Sequence, residues 1–426
     1  MARVSSHEWM KSFRQLIHLQ ISYLKYSGLW KIETRHLLLT KIAYFVYKLW
    51  MLTMMHVFSI TVFADIYENF DNLSIITDDG CIFAGIVVVI FKAINYQIRR
   101  KRIIKLLDDV LNCADDLCRF SNMESIKVII NRYHVLNKVI FHGFSMLGCI
   151  LGIALLFFSP METGLPIRAK YPFNTTVSPW REIGFIVETS AVSGGLLGII
   201  AMDSVTVIVC SLITALFDIL NAIFEKCTSE TDMSNVHINS SSLTPCRIDE
   251  ICNMNTNTRT KNKKQDDTFL RRYKICLQFH QRLVFMTNDY NRIYSSSMFV
   301  QMLSSTSIIC LTGFQAVVVG GQSSDIMKFG IYLSAAVSQL LYICWIGNEL
   351  SYASSVTERS QWLSGWNQEN LTDIVKIFTL SVMFTRKLVT LKAGVFYILS
   401  LETFIVIVRR SYSVFTLLNN MHSANP

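Results

Sequence analysis

Seven long apolar stretches alternate with polar connections along the chain, at roughly 42–64, 79–98, 136–158, 183–217, 293–320, 328–353 and 395–419. Crossing about 30 Å of hydrocarbon at about 1.5 Å per residue takes about 20 apolar residues in a helix. The helix is required because lipid offers no partner to backbone N–H and C=O groups. The third stretch stops at Ser159–Pro160, where proline ends a helix. The fourth is longer than one bilayer crossing, so its C-terminal half is expected to project into the cytoplasm. The pattern predicts an all-α integral membrane protein with seven transmembrane helices.

The connections alternate in charge, and that sets direction. Segment 65–78 carries Asp65, Glu68, Asp71 and Asp78 with no Lys or Arg, whereas the next connection opens with Arg99, Arg100, Lys101, Arg102 and Lys105. The 218–292 connection is also basic, and the tail after Leu418 has neither Lys nor Arg. Lys and Arg stay on the cytoplasmic side, so the N-terminus is expected inside and the C-terminus outside, opposite to a G-protein-coupled receptor. The sequons at Asn72 and Asn174 then fall outside and are the candidate glycosylation sites, while those at Asn239 and Asn370 fall inside. The expected organisation is a cytoplasmic N-terminus (1–41), helices one to four (42–217), a cytoplasmic connection (218–292) with a disordered Ser/Thr/Asn-rich loop (228–268), helices five and six (293–353), a cytoplasmic anchor segment (354–394), and helix seven with a short outer tail (395–426).

Composition agrees with a membrane protein. The 426 residues are 51% hydrophobic and 17% charged, against about 25% charged for soluble domains. The net charge of +9 is accounted for by cytoplasmic loops rather than by nucleic acid. The N-terminal segment lacks a charged-then-apolar unit with a cleavage site, so the first span is expected to act as the insertion signal. Of 11 cysteines, Cys149, Cys210, Cys310 and Cys344 lie in apolar runs, and no disulfide framework is implied. No phosphate loop, dinucleotide fingerprint or HExxH motif is present, and His237, Cys246 and Cys252 lack zinc-site spacing. No cofactor or enzymatic chemistry is indicated. Asn131-Arg132-Tyr133 has the look of a receptor tripeptide of G-protein coupling, but it precedes the third helix instead of following it.

The last third carries a more specific signal. Tyr342-Ile343-Cys344-Trp345-Ile346-Gly347-Asn348-Glu349-Leu350, then Leu391-Lys392-Ala393-Gly394-Val395-Phe396 with Leu399-Ser400-Leu401-Glu402-Thr403-Phe404, then Ser411-Tyr412-Ser413-Val414-Phe415-Thr416-Leu417-Leu418, follow one another in order. This series resembles the C-terminal signature of insect odorant receptors, and Ala201-Met202-Asp203-Ser204 resembles the family's fourth helix. Before helix seven the family's basic–Pro pair is replaced by Arg386-Lys387-Leu388. Leu418 stands where the co-receptor has Gln, so the resemblance is to a ligand-tuned subunit. Leu418-Asn419 also departs from the Gln-Phe ending of gustatory receptors, the runner-up reading alongside a metabotropic seven-helix receptor. A transporter would show inverted repeats, and none is seen.

The resemblance implies a ligand-gated, non-selective cation channel in the plasma membrane of an olfactory neuron dendrite, its four subunits shared with a co-receptor and its pore lined by the last helix. It also implies a pocket for a small volatile ligand in the outer half of the bundle. Candidate ligand-binding residues are Phe83, Leu147, Leu151, Phe158 and Val187, beside Gly148, Gly152, Gly194, Gly195 and Gly198. Those glycines either leave room for a ligand or let helices approach closely. Ser411, Phe415 and Asn419 share one face of the last helix and are the candidate pore or gate residues, with Phe415 either a hydrophobic constriction or a packing residue. Tyr412, Thr416 and Asn420 form the adjacent polar stripe. Arg409 and Arg410 are expected to meet water or a partner, with one of them bordering the conduction path as the alternative. The apolar stripe from Leu363 to Val382 must be buried, either within the chain or against another subunit.

Overall fold

The computed structural model describes residues 14–15, 17–30, 38–120, 124–157, 164–228, 266–318, 323–368 and 371–424. Six long helices dominate: α1 (Leu38–Glu68), α2 (Leu73–Phe120), α3 (Glu124–Phe157), α4 (Trp180–Glu225), α5 (Asp266–Val318) and α6 (Ser323–Trp362). A short α7 (Leu371–Thr385), a two-stranded hairpin (β1, Lys392–Ala393; β2, Tyr397–Ile398) and α8 (Leu401–Ala424) complete the chain. Helices α1 to α6 are each long and apolar enough to cross a membrane. Helix α8, with 24 residues, spans about 36 Å at 1.5 Å per residue, but Glu402, Arg409, Arg410 and its hydroxyl and amide side chains make it less apolar than α1, α3 and α4.

The apolar stretches are the middles of longer rods. Helix α2 has 48 residues and α5 has 53, so α5 is about 80 Å long, more than twice the hydrocarbon thickness. Much of the connection expected between helices four and five is therefore helix, because α5 starts at Asp266. Residues 229–265, including His237, Asn239, Cys246 and Cys252, lie outside the described residues, as do Phe158, Pro160 and Asn370. The last helix begins at Leu401, not at Val395. Gly394 takes φ +64°, a left-handed conformation that glycine adopts without steric cost. It turns the chain back so that Lys392 pairs with Ile398.

Helix α4 is the axis of the bundle. From Val205 to Leu220 all but one of its residues are buried, as expected of a helix apolar all round. Tyr96 of α2 donates a hydrogen bond to the Met202 carbonyl, and Asn95 donates to Ser297 Oγ of α5 at 2.6 Å. The tripeptide's Tyr133 donates to Asp218 at 2.8 Å, tying α3 to α4. The N-terminal segment is not a free tail. Leu24, Leu29 and Trp30 are buried, and the Arg100 guanidinium lies 5.0 Å over the Trp30 ring, within cation–π range.

The lower halves of α4, α5 and α6 form a second layer with α7. Phe378 of α7 stacks on Trp366 at 4.6 Å, and Tyr273 of α5 shares a 2.6 Å hydrogen bond with Ser381. The apolar stripe of this segment thus divides: Ile374 and Phe378 are buried inside the chain, while Val375, Met383 and Phe384 remain exposed.

Candidate functional site

In one half of the bundle α1 to α6 line a half-open cavity of about 140 Å³. Its lining repeats at helical spacing: Ile82, Gly85, Ile86 and Val89 of α2; Leu151 and Leu155 of α3; Ala191, Gly195 and Ile199 of α4; Gln301, Ser304 and Ile308 of α5; Tyr332, Ala335, Ala336 and Gln339 of α6. Met55 of α1 closes one side. Each helix therefore presents one face, and none of these side chains is ionised.

Polar groups in the wall are held by neighbours. Ser304 donates to the Ala84 carbonyl at 2.9 Å, and Tyr332 donates to the Cys81 carbonyl at 3.1 Å. Gln339 donates to Asp203, whose other carboxylate oxygen pairs with Lys92. This ion pair joins α2 to α4 one turn beyond Val89 and Ile199, behind Gln339 and outside the lining. Its charges offset each other and leave the cavity neutral.

Of the residues expected to bind ligand, Leu151 lines the cavity. Phe83 is turned aside from the Ile82–Ile86 face and packs 5.6 Å from Phe63. Val187 is buried one turn above Ala191, outside the lining, and Leu147 is half-buried one turn from Leu151. The glycines also divide. A Cβ at Gly148 or Gly194 would overlap Ile200 or Met51, so these two admit close helix packing. Gly195 opens into the cavity, where an added Cβ meets nothing within 4 Å. The faces of α5 and α6 escaped the sequence reading; their signal was Gln301 and Ser304 at i, i+3 inside an apolar span.

The end of the bundle near Asp65 and Glu68 is strapped by ion pairs. Arg168 Nε lies 2.9 Å from Asp65 and Lys170 Nζ 2.7 Å from Glu68. Glu188, fully buried, accepts the Ile167 N–H at 3.1 Å. Asn72 and Asn174, both exposed, therefore share this end of the molecule.

In the last helix the residues expected to face a pore pack against α5. Ser411 is 1% exposed and its carbonyl accepts from the Cys310 thiol at 3.2 Å. Phe415 lies against Gly313, 3.7 Å from the position of a Cβ there, and Asn419 is half-buried. The Ser411–Phe415–Asn419 face is turned toward α5, because Cys310 and Gly313 leave space for it. Arg409, Ser413 and Asn420 are exposed, with Thr416 half-buried between them and Tyr412 beside the stripe. Arg410 donates to the Tyr397 hydroxyl at 3.2 Å.

A family profile described as 7tm odorant receptor matches residues 72–412. Odorant receptor Or1 of Anopheles gambiae is 32% identical over 151 residues, which are 35% of this chain and 36% of that one. Odorant receptor 94a of Drosophila melanogaster is 30% identical over 171 residues, 38% of this chain and 42% of its own. These matches span about two fifths or less of those relatives. The insect olfactory receptor OR5 from Machilis hrabei, solved in complex with eugenol, has the same fold: its TM-score is 0.75 at 12% identity, covering 97% of this chain and 99% of that one.

Proposed function

Because this chain belongs to the 7tm odorant receptor family, we propose that it is the ligand-tuned subunit of a ligand-gated, non-selective cation channel that takes a small neutral volatile molecule into the cavity between α1 and α6. The family is one of multi-pass sensory receptors, not enzymes. The observation that carries the reading is the cavity itself. It is concave, predominantly apolar and free of ionised side chains, so shape and dispersion dominate what it accepts. The solved relative's complex with eugenol agrees with a ligand of this class.

The channel joins this chain to a co-receptor in a heterotetramer at the plasma membrane of the olfactory neuron dendrite. Its pore runs along the stripe Arg409, Ser413, Thr416 and Asn420 of α8, a reading supported by the exposure of Arg409, Ser413 and Asn420. Polar side chains in a span face protein or water rather than lipid. Val375, Met383 and Phe384 of α7, all exposed, with Phe384 lining a groove of about 490 Å³, supply the contact between subunits.

Gly195→Leu tests the cavity. The side chain would enter open space, so folding and surface delivery are expected to be kept while the ligand is excluded. Co-expressed with a co-receptor in a voltage-clamped cell, the variant should lose at least tenfold of the volatile-evoked current. Undiminished currents would move the ligand elsewhere, and second-messenger signals without any current would overturn the channel.

The N-terminus is cytoplasmic and the C-terminus extracellular in this proposal. It is supported by the acidic, strapped end at Asp65 and Glu68 and the basic cluster at Arg99–Lys105 about 40 Å along α2. Glycosidase treatment of the expressed protein should shift its mobility, and Asn72→Gln with Asn174→Gln should abolish the shift. Sugar retained on Asn370 in that double variant would invert the topology.

A further inference from the structure

We infer that the cavity selects ligands that donate a hydrogen bond, a short-chain alcohol or a small phenol, with the Gln301 amide oxygen as the acceptor. This rests on reading the cavity as the ligand site. Gln301 stands in the wall on α5 and is 2% exposed. Its Nε2 donates to Ser305 Oγ at 3.3 Å, while its Oε1 is buried without a partner. A buried acceptor left unpaired is destabilising, so native structures satisfy nearly all of them. An incoming hydroxyl would supply the missing donor.

Two hydroxyls of the wall have the same polarity. The Ser304 and Tyr332 hydroxyl protons are directed to the Ala84 and Cys81 carbonyls, and the Gln339 amide donates to Asp203. The two hydroxyls therefore keep only acceptor capacity. A ligand whose polar atom is a carbonyl or ether oxygen would leave the Gln301 amide oxygen unpaired. Size narrows the class further. A cavity of about 140 Å³ is close to the roughly 150 Å³ that admits benzene, so the ligand has few carbons.

Phenol and toluene have nearly the same shape and differ in a hydroxyl against a methyl; benzaldehyde offers only an acceptor. Binding of the three is measured on the full chain in lipid nanodiscs, for wild type, Gln301→Leu and Gly195→Leu. Wild type is expected to bind phenol at least as well as toluene, although phenol is the better hydrated, and to bind benzaldehyde least. Gln301→Leu should weaken phenol on the order of tenfold and leave toluene unchanged, which also reports that the variant is folded. Gly195→Leu should bind none. Equal phenol affinity in wild type and Gln301→Leu, or benzaldehyde preferred to phenol, overturns the assignment to Gln301 while the cavity stands. Binding of toluene that Gly195→Leu does not block overturns the cavity reading itself.

Discussion

Replacing Asp203 with leucine is expected to destabilise the protein by about 3–5 kcal/mol, the cost of leaving one charge of a buried ion pair without its partner. The stranded group would be Lys92, whose side chain is 3% exposed and whose ion-pair partner is Asp203. A charged side chain held within an apolar bundle is costly wherever it lacks water or a counter-charge. Gln339 would lose its acceptor at the same time. Thermal unfolding of the detergent-solubilised chain, followed by size-exclusion chromatography, should show the loss as a lowered midpoint. The double variant Lys92→Met/Asp203→Leu separates two accounts. An apolar pair of similar volume often equals or exceeds a buried ion pair in stability, so the double variant should recover most of what the single one lost. No recovery would mean that Asp203 matters through contacts other than Lys92.

Gly347→Val is expected to be the most damaging change in the inner layer. A Cβ at Gly347 would fall inside van der Waals distance of the Leu399 carbonyl oxygen and 2.6 Å from Leu399 Cβ. The obstructing atoms belong to backbone and to a fully buried residue, so they cannot swing away. Overpacking of this kind costs about 1–3 kcal/mol and more where backbone must shift. The shift would fall on β2 and on the start of α8, three residues beyond Ile398. Agonist-evoked current should be lost even in the fraction of Gly347→Val that reaches the surface, and Gly347→Ala should lie between it and wild type. Normal currents from Gly347→Val would show that α6 and the hairpin separate freely. The same contact gives the glycine of the Tyr342–Leu350 motif its physical reason: the residue is a gap through which the hairpin approaches α6.

The helices could be read from the sequence because the thickness of lipid sets a minimum apolar length, and the six most apolar stretches each lie within one. Their ends could not, since α2, α4 and α5 continue into an aqueous layer where charged residues are tolerated and no apolar threshold marks a boundary. The cavity was harder. In a span nearly every residue is apolar, so a side chain facing lipid, another helix or a void looks alike: Phe83 and Ile86 are equally plausible in sequence, and only the rotation of α2 decides between them. Polar residues inside spans were the better guide, and Gln301, Ser304 and Gln339 all face the cavity. The last helix shows the limit of a stripe argument. Two polar faces run side by side along it, and small residues on α5, a separate element, determine which one is covered.

Gln301 and Cys310 stand nine residues apart on α5, which at about 100° per residue sets them on opposite sides of the helix. The cavity lies on one side and the last helix, through Ser411, on the other. A guest that widens the cavity by pushing on this rod has the final helix immediately behind it. One helix separates the cavity from α8, so a lateral displacement of α5 would bear directly on Ser411 and needs no relay through intervening residues.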